Sequence, residues 1–352
     1  MSESLKTLIT KAIQHSPSAD NSQPWQINWK DNSLFLNYDT DRVANKTFPA
    51  DSPAIILAMG AALENIKQIT NTLNIAIEID LCQKIDLASP CYFKVHFGQT
   101  NVDKEIETVP FSVFNRHTNR FSYSSKPLST EILHALKNMS LNHVRVHVIT
   151  DKADIKRMTH LVRMASEIRF KTKEVNEWLG KSLRFGNDAD KTKDGLDVAT
   201  LDLPPGGSLF LRLICNWKRM QFLNLFGTYI TMSFIDSAPV KKAPALIAIT
   251  APSSIKSTLE AGQLMEKVWI ELNKQGIAVH PYYVICDQLN RRKLNIIPKG
   301  LEKKADKIAS DVQDFFQFKE DETLQMLFRV GIPEKKALRS QRLPFSDIST
   351  EL

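Results

Sequence analysis

The sequence predicts an α+β chain built from two related lobes. Each lobe is a small mixed or antiparallel sheet flanked by helices, and the two pack as a pseudo-dimer inside one polypeptide. Three observations predict this. Two long amphipathic helical segments far apart in the chain align without a gap. Each runs directly into a strand-like stretch. The 352 residues are also more than one simple core needs and enough for two.

The first informative element is "HSPSADNSQPWQ" (15–26), a run of turn formers whose side chains bond the local backbone. It ends on Trp25 and the alternating stretch "WQINWKDNSLFLNY", read as two strands turning at Asp31-Asn32. A polar loop pinned by a large aromatic to a hairpin offers a binding surface, although most such clusters are plain loops.

The repeat follows. "LAMGAALENIKQITNTLNIAI" (57–77) and "LEAGQLMEKVWIELNKQGIAV" (259–279) share Leu57/Leu259, Gly60/Gly262, Glu64/Glu266, Asn71/Asn273, Ile75/Ile277 and Ala76/Ala278 at one offset. Both have helical apolar spacing, with a glycine at the same turn, where another helix can approach closely. They continue into "IAIEIDL" and "IAVHPYYVI". A helix-strand unit present twice implies lobes at 1–112 and 113–352.

Between the copies, "HVRVHVIT" (143–150) reads as a strand and "KADIKRMTHLVRMASEIRF" (152–170) as a helix. His143 and His147 are four apart, which along a strand is about 13 Å, too far to share a metal ion. Residues 180–208 have neither period and hold Asp194-Gly195 and Pro204-Pro-Gly-Gly207, the pattern of a structureless lid, a wrapping arm or a disordered run, of which the lid is favoured.

Composition narrows the function classes. With 43% hydrophobic and 24% charged residues the chain reads as soluble and globular. No signal-peptide pattern opens it, and its most apolar stretch (222–235) is too short and polar to span a bilayer. The expectation is a cytoplasmic protein without membrane contact. Cys82, Cys91, Cys215 and Cys286 form no CxxC pair and read as reduced core residues. The charge of +7 is scattered rather than striped, which argues against nucleic acid and suits an anionic small ligand equally well. Only 12 residues are glycine, and neither GxGxxG nor GxxxxGK[ST] occurs. A phosphorylated cofactor would have to be held by arginine or lysine.

Two arginine clusters could do so. In "NRHTNRFSY", Arg116, Thr118 and Arg120 alternate, so on extended chain they point one way, and guanidinium forks suit phosphate oxygens. The same residues also read as a solvated basic turn. Near the end, "LFRVGIPEKKALRSQRLPF" offers Arg329, Arg339 and Arg342, with Lys335 and Lys336 as surface charge.

Taken together, these pieces resemble the nitroreductase superfamily of flavoproteins. "SPSADNSQPW" resembles its APSxxNxQPW signature, and "RHTNR" resembles its RxSxR phosphate motif with Thr118 for Ser. The helix at 260–279 resembles its interface helix, and "FRVGIPEKKALRSQRLP" its terminal glycine strand and Arg-Leu-Pro. The order across 15–346 resembles the Acg-like branch, in which one chain carries both lobes. The loop occurs only in the first lobe and RHTNR only in the second, so the resemblance implies a nitroreductase-like fold with one FMN per chain.

It further implies Arg116, Thr118 and Arg120 on the phosphate, ribityl chain and polar ring edge, with Arg342 and Arg339 completing the phosphate clamp. Pro17, Ser18 and Asn21 would line the ring from the other lobe, with Gln23 and Trp25 bracing their loop. His280 and Tyr282, in "VHPYY", would pass the reacting edge, His280 being a candidate proton donor, although a core histidine at a strand end is the more ordinary reading there. The implied activity is ping-pong transfer of hydride from NAD(P)H through FMN to a small-molecule acceptor such as a nitroaromatic or quinone. The alternative is a flavin-sequestering or sensing protein whose lid occludes FMN. Pairing of these pseudo-dimers into a further homodimer stays open.

Overall fold

The computed structural model describes residues 1–88, 90–99, 102–319 and 321–351. The chain opens with a helix, Glu3–Gln14, started by Ser2, whose Oγ accepts from the Leu5 amide. Leu5, Ile9 and Ile13 fall on one face of it and pack in the core of the first sheet. That sheet begins with β1 (Trp25–Lys30) and β2 (Ser33–Tyr38), paired antiparallel from Trp25↔Tyr38 to Lys30↔Ser33. The hairpin turns at Asp31-Asn32 as expected, with Asp31 left-handed at φ 52°. Alternation sends Trp25, Ile27 and Trp29 into the core. β3 (Ile77–Leu81) and β4 (Cys91–Phe97) complete the order β1-β2-β4-β3.

The second sheet begins with β5 (Ser140–Leu141) and β6 (Val144–Ile149). Next in the chain come β7 (Leu183–Arg184) and β8 (Leu196–Asp197), a separate parallel pair inside an insertion. β9 (Ala245–Pro252), β10 (Ala278–Tyr282) and β11 (Glu322–Gly331) finish the second sheet in the order β10-β11-β9-β6-β5. β9 lies inside it, and its apolar run, broken only by Thr250, is buried almost throughout. β10 is an edge strand, which is why the sheet tolerates Pro281.

Two long helices lie between the sheets, Pro53–Thr72 and Ile255–Lys274, capped by Ser52 and Ser254. They cross at the repeated glycines. A Cβ on Gly60 would strike the Leu259 carbonyl, 2.9 Å from its carbon; one on Gly262 would strike the Leu57 carbonyl, 3.0 Å from its carbon. Only glycine allows this backbone approach. The contact is reciprocal, as about a two-fold axis, and joins the residues that the sequence aligned.

The two sheets are also tied by the chain. After β11 the backbone crosses to the first sheet, makes a short helix, Phe345–Ile348, and adds β12 (Ser349–Glu351) parallel to the open edge of β1. The last residues, assigned by sequence to the second lobe, thus belong to the first sheet.

The expectation of a structureless lid at 180–208 is corrected. Helix Lys173–Ser182 runs into it, and β7, a short helix (Asp188–Thr192), β8, a 3-10 turn (Val198–Leu201) and helix Gly207–Ile214 follow. Leu183, Leu196, Val198, Leu211, Ile214 and Met220 close a satellite core. Each short element is held by one or two inward apolar anchors, too few to give a period in the sequence. Two further helices, Trp217–Asn224 and Thr228–Lys242, lead from there to β9. The cysteines are free, but Cys82, Cys91 and Cys215 are half-buried, and of the four only Cys286 is a core residue. Among the described residues no cluster of His, Cys, Asp or Glu could hold a metal, and no helix is long and apolar enough to cross a membrane.

Candidate functional site

A cavity of about 490 Å³ lies beside the helix crossing, walled by Leu57 and Ala58 of one central helix and Met265 and Trp269 of the other. Onto it converge the loop before β1, the segment Arg116–Arg120, strand β10, the crossing chain at Ser340 and Arg342, and the insertion. Pro17, Ser18, Asn21, Arg116, Thr118, Arg120, His280, Tyr282, Arg339 and Arg342 all line it.

The loop is tightly wound. Asp20, Asn21 and Gln23 are left-handed at φ 48°, 55° and 48°. Ser18 Oγ accepts from the Gln23 amide at 3.0 Å, closing the turn from within. Gln23 is fully buried; its Oε1 accepts from the Leu343 amide and its Nε2 donates to the Lys193 carbonyl. Trp25 is buried beneath the loop. Asn21 donates to the Gln341 carbonyl at 3.0 Å and accepts from Arg342 Nη1 at 2.5 Å. The crossing chain and the insertion are both fastened to this loop, the latter also through Ser182 Oγ on Asp20.

The arginines form two groups. At one end, Arg116 donates to the His15 carbonyl at 2.6 Å and Arg342 donates to the same oxygen at 3.3 Å. Arg116 Nε lies 2.9 Å from Glu266 Oε1, and its guanidinium stacks 4.7 Å from the Trp269 ring centre. Burial pushes the Glu266 carboxyl up to about 7, against the pull of Arg116. The solvated basic turn that the sequence also allowed does not describe Arg116, which is buried and partly neutralised by this carboxylate. Burial, then the charge of Arg116, pulls Arg342 down to about 9. Arg339 is exposed, its guanidinium donating to the Phe114 and Asn115 carbonyls at 2.7 and 2.9 Å, so it borders the cavity rather than reaching across it.

At the other end, Arg120 donates to Thr200 Oγ1 at 3.4 Å, and burial lowers its pKa. Arg329 Nε donates to His280 Nδ1 at 3.1 Å, and its Nη2 donates to the Arg120 and Phe121 carbonyls. That bond fixes the imidazole: Nδ1 accepts, so Nε2 carries the proton. Burial, reinforced by Arg329 and Arg120, holds the His280 pKa well below its usual value, so the ring is neutral. The Tyr282 ring lies 4.7 Å from it, its hydroxyl donating to the Asp236 carbonyl.

Among the described residues neither Arg120 nor Arg342 forms an ion pair with a carboxylate, and Glu266 is the single carboxylate paired at the first cluster. Buried cations in excess need an anion. A phosphate beside Arg116 and Arg342, with an extended polar-edged ring reaching Arg120 and His280, fits this donor set. Sequence reasoning noted Arg329 but gave it no place at the site, and it gave Glu266 no role, although Glu266 matches Glu64 in the repeat. Trp178, from the insertion, also lines the cavity, and no local pattern marks it.

No known family profile matches the chain. It is 23% identical over 279 residues to an uncharacterized protein of Mycobacterium tuberculosis (strain CDC 1551 / Oshkosh), a match covering 78% of this chain and 38% of that protein. The chain therefore spans about two fifths of the length of that relative. Among solved structures, an FMN-bound nitroreductase of Bacteroides fragilis overlays with a TM-score of 0.38 at 10% identity, covering 66% of this chain and 92% of that one. The FMN-dependent nitroreductase NfnB of Mycobacterium smegmatis, in complex with NADPH, gives 0.38 at 14% identity, covering 71% and 99%. Iodotyrosine deiodinase bound to FMN and 3-iodo-L-tyrosine gives 0.36 at 11%, covering 66% and 94%. At scores this low the overlays carry no argument; what the cavity can hold follows from its own residues.

Proposed function

We propose that this chain binds one FMN in the cavity between its lobes. On this reading it is an oxidoreductase of the nitroreductase type, moving hydride from NAD(P)H to a small acceptor such as a nitroaromatic or quinone. The observation that carries the reading is the meeting of the two motifs that the sequence separates. The Pro17–Asn21 loop of one lobe and the Arg116-Thr118-Arg120 segment of the other wall the same space.

Bound FMN would supply hydride chemistry, leaving binding, orientation and electrostatics to the protein. Arg342 and Arg116, gathered on the His15 carbonyl, would hold the phosphate with the Thr118 hydroxyl. Protonation of Glu266 at its carboxylate would release Arg116 fully to that anion. Arg120 would face the polar edge of the ring and stabilise negative charge there. His280 would present its Nε2 proton as a hydrogen-bond donor, with Arg329 fixing the tautomer. Pro17, Ser18 and Asn21 would close the ring site from the first lobe.

The same reading treats the chain as internally duplicated, supported by the reciprocal glycine crossing between two five-stranded sheets. One FMN rather than two is supported by the repeat itself. Glu266 pairs with Arg116, whereas its counterpart Glu64 accepts from Gln68 and forms no ion pair among the described residues.

The test is an anaerobic absorption spectrum of the purified protein during addition of NADPH, NADH and finally dithionite. Yellow protein bleached by a nicotinamide supports the oxidoreductase. Leu183, Leu196, Leu201 and Leu203 of the insertion also wall the cavity, which favours a second reading, an occluded and sequestered flavin. Bleaching by dithionite alone would select it. Protein that takes up no FMN would refute both.

A further inference from the structure

The three helices between the insertion and β9 leave an apolar face uncovered. Nine large hydrophobic side chains exposed among the described residues lie between Leu209 and Ile235, against five in the rest of the chain. Leu209 is 74% exposed, Leu225 78% and Phe226 75%; Phe222 packs its ring against Phe226, and Phe234 is exposed too. Leu213 and Phe222, from different helices, share a shallow cleft of about 410 Å³ with Lys218 and Arg219, so the exposed faces of the first two helices join. Scattered apolar residues are normal on a surface; a concentration like this marks an interaction site.

The charge of the face identifies its occupant. From Leu203 to Lys242 the one acid is Asp236, which lines the cavity and accepts from Ser166 Oγ rather than joining the exposed face. The cations of this stretch, Arg212, Lys218, Arg219, Lys241 and Lys242, are all exposed. A second copy docked across a two-fold axis would set these cations against themselves with no carboxylate to pair. An anionic lipid surface satisfies both features, taking the apolar side chains into the acyl boundary and the cations onto its phosphates. We infer that the helices Gly207–Ile214, Trp217–Asn224 and Thr228–Lys242 form a docking face for an anionic bilayer surface. The expectation of no membrane contact rested on the lack of a spanning segment, and an interfacial face needs none.

This face adjoins the cavity. Leu211, Met232 and Ile235, from two of the same helices, line it. A docked protein would therefore open its cavity toward the hydrocarbon boundary, where an apolar acceptor dissolved in lipid is concentrated. That acceptor class rests on the oxidoreductase reading; the docking itself does not.

Flotation of the full chain with vesicles tests the docking directly. Vesicles of equal parts phosphatidylcholine and phosphatidylglycerol should carry the protein, and pure phosphatidylcholine should carry far less. Removing each surface cation should weaken partition about fivefold, so Lys218→Ala with Arg219→Ala should weaken it about 25-fold. Leu225→Glu with Phe226→Glu should abolish it, and neither pair touches the cavity, so flavin absorbance and melting should stay as in the parent protein. Wild-type protein that stays at the bottom of the gradient with both vesicle types overturns the inference. So does a solution dimer that Leu225→Glu with Phe226→Glu dissociates while vesicles fail to bind, which would assign the face to a second copy. Colourless protein that floats would refute the flavin reading and leave the docking standing.

Discussion

Gly262→Ala tests the junction on which the cavity is built. In an isolated helix this change would stabilise by up to about 1 kcal/mol. Here the added methyl would lie 2.9 Å from Gly60 Cα and 3.0 Å from the Leu57 carbonyl carbon, with the Leu57 oxygen closer still. Carbon atoms pack at about 3.5–4.0 Å, so the two central helices must part by roughly 0.5–1 Å. Every buried contact across the seam, including those of Leu57, Ala61, Leu259 and Ala261, then loses part of its dispersion energy. Overpacking of this kind costs about 1–3 kcal/mol, and more when backbone is the obstacle, so about 3–4 kcal/mol is expected. For a chain of 352 residues that lowers Tm by about 4–6 °C if unfolding is two-state. Gly60→Ala should match it, and the double variant should cost less than the sum, because the first methyl has already separated the helices. The assay is thermal denaturation followed by circular dichroism, with flavin release monitored in parallel. A Gly262→Ala protein that melts at or above the wild-type temperature would refute the tight crossing and remove the support it lends to the proposed duplication.

Arg342→Gln should weaken FMN binding about ten- to hundredfold and leave riboflavin, which lacks the phosphate, nearly unaffected, as titration calorimetry would show. The pH dependence of stability follows from Glu266, whose folded pKa of about 7 lies above its ordinary 4.5. The folded state binds this proton more tightly, so its contribution is full below about pH 4.5 and lost as pH rises through about 7. Urea midpoints measured across that window should fall with rising pH, and Glu266→Gln should flatten the slope. Gln23→Ala removes two of the bonds that fasten the loop, one to the crossing chain and one to the insertion, at about 2–4 kcal/mol. Limited proteolysis should then cut between β11 and the Phe345–Ile348 helix faster than in the wild type.

Local and periodic features were legible in the sequence. The hairpin at Asp31-Asn32, the strand of Val144–Ile149, the helix of Lys152–Arg169 and both glycine-bearing helices each carry their own period or turn chemistry. The meeting of the Pro17–Asn21 loop with Arg116–Arg120 was reachable only through the resemblance of both motifs to those of one flavoprotein superfamily, since nothing in their spacing brings them together. What the sequence concealed depends on distant partners. β12 is three residues long and becomes a strand by docking on β1. The short elements of the insertion borrow stability from a core they share. The pairing of Arg116 with Glu266 joins residues on different elements, and only burial turns that carboxylate into a titrating group near pH 7.

The crossing chain also sets an order of events on the ribosome. Arg342 reaches Asn21 across 321 residues of chain, and β12 follows it onto β1. The loop at Asn21 emerges early and waits, its acceptors open, through synthesis of both sheets and the insertion. A nascent chain stopped before Arg342 has the first wall of the cavity without the cation that spans it. If the cavity holds FMN as proposed, its tight capture would wait until translation has passed that residue, and loading would report that the strap carrying Arg342 is in place.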